Sequence, residues 1–379
     1  MTRQLRAVVV GAGWAGEGHT RALQYAGVDV VAICARQKDV VRSVADRLGV
    51  EAASVDWRRT LENKEPDILA LATPAVLRGS VVEAAADLGC HLFCDKPLAT
   101  TAQEAGRLYR VVDEAGVKHA YAATWCYDPS VAWLAELIRD GSVGLLREIV
   151  VTLRMGFPQL APWSWFMSLA AGGGMLNQLL PHALGILETI TGGKVVRAMG
   201  EARVLVDRAP VIPGIHDFRS WWSMMANQMR SEDLEGLEWR SCDADGAFSA
   251  LLQFRTTQTD VQVTVMMSIG QPVSSKANGM HLYGDAGTLI AEGVATFSVS
   301  RMRPGAADAE ALAVPQRLWD EHPDVGDATQ NKWCVLARDF VADIQGRGHR
   351  PYPTFADGWR YQQAIDAIRA GTWIDVSID

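Results

Sequence analysis

The sequence lacks a long apolar run, a block of basic residues and a recognisable secretion signal. No stretch of about 18 apolar residues occurs, so no membrane span is expected. The apolar stretch near the amino terminus is too short for a signal peptide and lacks a small-residue cleavage site. The net charge is −8, so neither nucleic acid nor an anionic membrane is an expected partner.

The sequence also lacks paired cysteines. Its six cysteines are scattered, and none belongs to a C-x-x-C motif. This spacing argues against a zinc site and against a disulfide framework, and it favours a reducing compartment. We therefore expect a cytoplasmic protein without a metal site, in which Cys90 and Cys94 are buried as small apolar residues.

What the sequence does contain is the composition of an ordinary globular protein, 49% hydrophobic and 21% charged over 379 residues, which suggests two domains. Over the first 120 residues, short apolar runs alternate with helical patterns, as in βαβ units with a parallel sheet. The predicted strands cover residues 7–10, 28–34, 68–72 and 91–94, and the predicted helices cover 15–25, 39–48, 77–88 and 102–115.

The pattern changes beyond Trp125. A helix over 131–139 precedes a strand starting near Arg147, and later strand-like runs cover 247–254, 262–269 and 280–283. Residues 207–240 are predicted to be a long insertion with some helix, and 305–327 an exposed loop. The predicted fold class is α/β. A Rossmann domain with a doubly wound parallel sheet occupies 1–123, and an α+β domain with a large, mostly antiparallel, open-faced sheet occupies 124–379.

A glycine motif follows the first predicted strand and opens a helix. Gly11 permits a tight turn, Gly13 lets the backbone approach a pyrophosphate, and Gly16 lets helix and strand pack closely. The helix N-terminus, with Trp14 and Ala15, then supplies N–H groups to the phosphates. The motif in this strand–turn–helix context predicts dinucleotide binding, and the alternative is a glycine-rich turn without a ligand.

The end of the second predicted strand bears on the choice between NAD and NADP. The strand runs into Ala35 and Arg36, followed by Lys38, with no carboxylate before Asp39. An acidic residue there would hold the ribose 2′-hydroxyl of NAD, whereas Arg36 and Lys38 suit a 2′-phosphate. We therefore favour NADP(H); the alternative is that both cations belong to the solvated surface.

After the fourth strand comes Asp95-Lys96-Pro97. With the amino-terminal glycine motif and Gly172-Gly-Gly174, this resembles the glucose–fructose oxidoreductase/inositol dehydrogenase (Gfo/Idh/MocA) family over nearly the whole chain. The resemblance implies that Lys96 reaches the nicotinamide ribose and the reacting hydroxyl, that Asp95 and Pro97 also contact the cofactor, and that the Lys96–Pro97 bond is cis. It also implies cofactor contacts by Thr73 and Pro74, in a T-P-x-x-x-H segment whose histidine is here Arg78.

The same resemblance makes His182 the acid/base residue. Gln178, four residues earlier on the same helical face, stands where the family has aspartate. Imidazole suits proton transfer near neutral pH, but an amide can only donate or accept hydrogen bonds. Either Gln178 is a binding group for a different substrate, or His182 acts alone with Lys96, or catalysis has been lost.

The expected substrate site is aromatic. Trp125 stands where relatives carry arginine, and Trp163 and Trp165 lie close in sequence to the triple glycine. Tryptophan faces bind the apolar faces of sugar rings, although packing is the commoner role of any single tryptophan. Arg154 is a further candidate for the cleft; the alternative for it is a solvated strand residue.

The resemblance implies an NAD(P)-dependent oxidoreductase acting on a sugar, a cyclitol or a sugar derivative. Two alternatives stay open: a redox-neutral glycosidase that oxidises the sugar transiently, and a non-catalytic regulator that binds the dinucleotide. The resemblance also implies a homodimer or homotetramer that associates through the open face of the second-domain sheet.

Overall fold

The first domain is built on a six-stranded parallel sheet. The computed structural model describes residues 3–156, 161–215, 220–221, 223–224, 234–270 and 278–378. The strand order is β3-β2-β1-β4-β5-β6. The strands are β1 (Arg6–Val10), β2 (Asp29–Cys34), β3 (Ala52–Ser54), β4 (Ile68–Leu71), β5 (His91–Cys94) and β6 (His119–Tyr121).

Helices cover both faces of this sheet, and for this reason its central strands are continuous apolar runs. All four residues of β4 are buried. Of the elements missing from the sequence analysis, β3 and β6 have only three residues each, too few to show a period. The helices are α1 (Trp14–Tyr25), α2 (Lys38–Leu48), α3 (Trp57–Lys64), α4 (Gly79–Asp87) and α5 (Ala102–Glu114).

The second domain is built on a nine-stranded sheet in the order β16-β15-β14-β13-β7-β12-β11-β8-β17. Only the central pair of β7 and β12 is parallel, and the other pairs are antiparallel. The α/β fold class, with its mostly antiparallel second sheet, is confirmed. The strands are β7 (Leu146–Arg154), β8 (Lys194–Arg203), β9 (Arg208–Pro210), β10 (Trp239–Ser241), β11 (Ala247–Arg255), β12 (Asp260–Ser268), β13 (Gly279–Gly284), β14 (Gly287–Gly293), β15 (Phe297–Met302), β16 (Glu310–Leu312) and β17 (Ile374–Asp375).

The helices of the second part of the chain join the two domains. The carboxy-terminal helices reach back to the first domain: Trp333 packs against Gly18 of α1, and Trp359 packs against Gly106 of α5. The domain boundary at residues 123/124 stays a prediction. The helices are α6 (Pro129–Arg139), α7 (Met175–Thr191), α8 (Gln316–Asp320), α9 (Ala328–Ile344) and α10 (Phe355–Ala370).

Two of the predicted irregular regions contain regular structure. The predicted loop 305–327 holds β16 and α8, so that expectation was wrong in part; these elements are only three and five residues long. In the predicted insertion 207–240, β9 pairs with β10 in a separate two-stranded sheet. Residues 216–219, 222 and 225–233 of that region lie outside the described residues.

Two further observations concern the cysteines and the prediction that no segment spans a membrane. All six cysteines are buried and unpaired. In the part of the chain that the structure describes, no helix has the length and apolarity needed to cross a bilayer.

Candidate active site

A large cleft lies between the two domains, with a volume of about 1490 Å³. Its walls come from the loops after β1, β2, β4 and β5 on one side and from α7 and its neighbours on the other. Pockets for small molecules usually measure about 300–1,000 Å³, so this cleft has room for more than one such ligand.

The glycine turn forms one end of the cleft. Gly11 has a φ of +121°, and a Cβ there would lie 2.6 Å from the carbonyl oxygen of Ala72. A Cβ on Gly16 would lie 1.9 Å from the carbonyl oxygen of Gly11, so Gly16 serves packing and does not itself line the cleft. Gly13 is the N-cap of α1 and offers no side-chain cap. Gly11, Gly13, Trp14 and Ala15 line the cleft, so this uncapped helix end faces a space that fits a pyrophosphate.

The loop after β2 contributes charged side chains. Ala35, Arg36 and Asp39 line the cleft. The expectation for Lys38 needs correction: Lys38 is the first residue of α2, is exposed, and is not among the lining residues. Arg47 also lines this region, where it pairs with the buried carboxylate of Glu17.

Arg78 ties together two loops that line the cleft. Its guanidinium, with only 2% of the residue exposed, donates to the carbonyl of Thr73 at 3.0 and 2.7 Å and also to those of Asp95 and Pro97. Thr73, Pro74, Asp95 and Lys96 line the cleft, whereas Pro97 is buried beneath it. The Lys96–Pro97 bond is cis, as predicted. The sequence analysis noted Arg78 only as a departure from histidine.

The triple glycine lets the second domain approach the loop that follows β4. Gly172, with φ +87°, lies so close to Ala75 that a Cβ would come within 2.9 Å of the alanine side chain. Gly174, with φ +93°, is the N-cap of α7. The two glycines therefore bring the start of α7 directly beside the loop that follows β4.

A buried carboxylate holds the start of α7 in place. Asp245 accepts a hydrogen bond from the backbone N–H of Leu176 at 2.7 Å, and its own carbonyl accepts from Met175 N at 2.9 Å. Arg369 of α10 pairs with Asp245 at 2.8 Å. These residues are distant in sequence, and the sequence analysis did not identify them.

Gln178 connects the two domains through Lys96. Lys96 Nζ donates to Gln178 Oε1 at 2.7 Å, and Gln178 Nε2 donates to the carbonyl of Gly172 at 3.3 Å. The amide thus orients the ammonium without adding a charge. Burial and Arg78 lower the pKa of Lys96, and Asp95 opposes that shift.

His182 lies one helical turn beyond Gln178 and lines the same cleft. Its ring stacks on Trp125, with centroids 4.6 Å apart and planes 8° from parallel, and its Nδ1 is buried without a hydrogen-bond partner. Burial, followed by Lys96 and Lys332, lowers the pKa of His182 well below its usual value. The imidazole is therefore neutral near neutral pH, which is the form that can accept a proton.

The remaining wall differs in part from the predicted substrate site. Trp125 and Trp165 line the cleft, but Trp163 packs against β10, where its Nε1 donates to the carbonyl of Ser241 at 3.3 Å. Arg154 ends β7 and does not line the cleft, whereas the next residue, Met155, does. Successive strand side chains point to opposite faces, so the exact register of β7 decides whether a residue near its end faces the cleft.

Several further residues that line the cleft were not identified from the sequence. Trp333 of α9 packs against Trp14, with ring centroids 4.8 Å apart and ring planes at 56°. The others include Phe166, Met175, Leu179, Ile215, Trp221 and Thr329. Among the described residues, no group of three or more potential metal ligands occurs.

Comparison with known proteins gives matches in both domains. Residues 5–122 match the model of an oxidoreductase family with an NAD-binding Rossmann fold, and residues 131–290 match the GFO/IDH/MocA C-terminal domain. Levoglucosan dehydrogenase of Pseudarthrobacter phenanthrenivorans is 26% identical over 204 residues, which is 50% of this chain and 52% of the relative. The aligned part therefore spans about half the length of that relative.

A second curated relative and a solved structure are also similar to this chain. A D-xylose 1-dehydrogenase (NADP(+)) of Haloferax volcanii is 31% identical over 117 residues, or 31% of this chain and 36% of the relative. A solved structure of levoglucosan dehydrogenase in complex with NADH superposes with a TM-score of 0.79 at 20% identity, covering 99% of this chain and 100% of that one. The fold is thus shared over 99% of this chain.

Proposed function

The chain belongs to the GFO/IDH/MocA family of oxidoreductases, and from this premise we propose that it is an NAD(P)-dependent dehydrogenase acting on a hydroxyl group of a sugar, a cyclitol or a sugar derivative. The observation that carries the proposal is the hydrogen bond between Lys96 and Gln178, which places an ammonium of the first domain one helical turn from the imidazole of His182. Both groups line the cleft that contains the glycine turn.

The chemistry divides between these two groups. A bound nicotinamide would supply the hydride acceptor. Oxidation of an alcohol breaks a C–H and an O–H bond, and the hydroxyl proton needs an acceptor as the carbonyl forms. Neutral His182 takes that proton, and the ammonium of Lys96 donates a hydrogen bond to the oxygen while negative charge develops there. Gln178 keeps Lys96 in place, so we assign it a positioning role.

The glycine turn and Arg36 would hold the cofactor. We propose a preference for NADP(H), because no carboxylate separates the end of β2 from Arg36, and Arg36 lines the cleft. In Arg36→Ala, the Kd of NADP+ should rise about tenfold and the Kd of NAD+ should stay unchanged, since one charge-assisted contact is lost. Tighter binding of NAD+ than of NADP+ by the unmodified protein would overturn this preference.

We also propose a homodimer or homotetramer that associates through the open face of the nine-stranded sheet. Leu251 of β11 and Tyr283 of β13 are large exposed residues of this sheet. Light scattering coupled to gel filtration tests the oligomeric state, and a monomer at micromolar concentration would contradict it.

The test of the proposed activity is a substrate panel. Free sugars, cyclitols and glycosides are incubated with NAD+ or NADP+, and the reduced nicotinamide and all products are measured. Accumulation of reduced cofactor with a carbonyl product supports the dehydrogenase. Release of an aglycone without reduced cofactor would favour the redox-neutral glycosidase, and tight cofactor binding without turnover would favour a regulator.

A further inference from the structure

Three aromatic side chains form a continuous wall in the second-domain half of the cleft. Trp165 and Phe166 stack with ring centroids 4.0 Å apart and planes at 24°, and Phe166 meets Trp221 at 5.6 Å and 39°. All three line the cleft. We call Trp165, Phe166 and Trp221 the aromatic wall.

The aromatic wall is fixed to the element that carries the reacting groups. The carbonyl of Phe166 accepts a hydrogen bond from the N–H of Gly174, the N-cap of α7, at 2.9 Å. Trp221 is 2% exposed, and its indole N–H donates to the carbonyl of Pro162 at 2.8 Å. The wall therefore keeps its position relative to Gln178 and His182.

Polar partners are few beside this wall. Among the described second-domain residues that line the cleft, His182 is the only titratable one, and the other lining side chains with polar groups include Gln178, Ser220 and Ser223. The amide of Gln178 already binds Lys96 and Gly172. The aliphatic side chains of Met155, Met175, Leu179, Ile215 and Val294 complete this part of the cleft.

A free sugar carries several hydroxyl groups, and buried hydroxyls without hydrogen-bond partners weaken binding. The described lining of this part of the cleft is mostly aromatic and aliphatic and has few hydrogen-bonding groups. Such a surface suits a ligand with a polar end and a flat apolar end. Aromatic rings on such a ligand gain both area burial and ring–ring contact. An anionic ligand would find no cation on this wall within the described residues.

We propose that the substrate is a glycoside with an aromatic aglycone. The sugar hydroxyl that reacts lies at Lys96 and His182, and the aglycone ring packs on the aromatic wall. This inference rests on the proposed function, because it assumes that Lys96 and His182 mark the reacting end of the substrate.

Matched glycosides test the inference. Phenyl and methyl glycosides of glucose and of galactose, each as α and β anomers, are titrated against the protein saturated with NADP+ or NAD+, and the Kd of each is measured. For at least one of the four pairs, the phenyl glycoside should bind at least about tenfold more tightly than the methyl glycoside. Turnover of the same compounds and of free sugars is followed in parallel.

The chain offers a matched control for the wall. Trp165→Ala should raise the Kd of the phenyl glycoside much more than that of the methyl glycoside, so that the advantage of the phenyl glycoside falls below about threefold. Trp165→Phe, which keeps an aromatic ring, should retain most of the advantage of the phenyl glycoside. Trp163→Ala, two residues away and packed on β10 outside the cleft, should leave the advantage intact.

The outcomes separate this inference from the proposed function. The protein could oxidise free sugars or cyclitols and yet bind phenyl glycosides no more tightly than methyl glycosides, or bind them more tightly by a margin that Trp165→Ala does not reduce. Either result would overturn the aromatic substrate but remain consistent with a dehydrogenase. Phenyl glycosides that bind through Trp165 without any oxidation would support the aromatic site and contradict the proposed reaction.

Discussion

Two glycine clusters, one in each domain, each lie at the start of a helix. Gly11, Gly13 and Gly16 precede or open α1 in the first domain, and Gly172 to Gly174 precede α7 in the second. In both clusters, positive φ angles and close backbone contacts require glycine. They look alike in sequence but do different things.

The difference is in the caps. At α1, the N-cap residue Gly13 provides no side-chain cap, and a helix N-terminus favours an anion. At α7, the carboxylate of Asp245 already occupies that place by accepting from Leu176 N. The first cluster is therefore suited to bind a phosphate, and the second to bring α7 against the other domain. A glycine-rich helix start indicates an anion site only when the fold supplies no carboxylate of its own.

Of the changes to the two clusters, breaking the first should have the largest effect on cofactor binding. In Gly11→Ala, the added Cβ would lie 2.6 Å from the carbonyl of Ala72 at a φ of +121°. Strain of this kind costs about 1–3 kcal/mol, so the Kd of the dinucleotide should rise up to about a hundredfold, as measured by fluorescence titration. Gly27→Ala has a positive φ but open space around the Cβ, and it should bind the cofactor normally.

Removing the cap of the second cluster should reduce stability instead. Asp245→Ala loses the helix cap and leaves Arg369 without its buried partner. The free energy of unfolding should fall by about 3 kcal/mol in urea titrations. Asp243→Ala, which removes an exposed carboxylate bonded to Leu169 N, should change it by less than about 1 kcal/mol. Equal losses in the two variants would contradict the role of Asp245.

The smallest expected effect is on the pH profile. The pKa of His182 is lowered well below 6.5, so its base form persists down to acidic pH. We therefore expect kcat/KM to fall only when the pH drops below this lowered pKa. Gln178→Glu introduces a carboxylate that stabilises the protonated forms of Lys96 and His182. The acidic limb should then move to higher pH by about one unit. An unchanged limb would show that residue 178 does not affect the proton acceptor.

The two walls of the cleft were not equally predictable. The first wall is formed by local motifs, so Gly11, Thr73 and Lys96 could be placed from their neighbours in sequence. The second depends on contacts between distant segments, such as Asp245 with the start of α7 and Trp221 with Phe166.

The candidates that do not line the cleft have the same origin. Arg154 was a candidate for the cleft, but the residue that lines it is Met155, and Trp163 was grouped with Trp165 although β10, which comes later in the chain, covers it. Lys38 was assigned to the cofactor because the start of α2 could not be placed to the residue.

The central claim is that Lys96 and His182 act on one and the same hydroxyl group. The most direct test is a double-mutant cycle on the rate of a single turnover, with the substrate that the panel identifies and with cofactor binding checked in each variant. If the claim holds, Lys96→Ala and His182→Ala each slow the reaction by about a thousandfold, and the double variant is scarcely slower than either single one. Multiplying losses, or normal rates in both single variants, would contradict it.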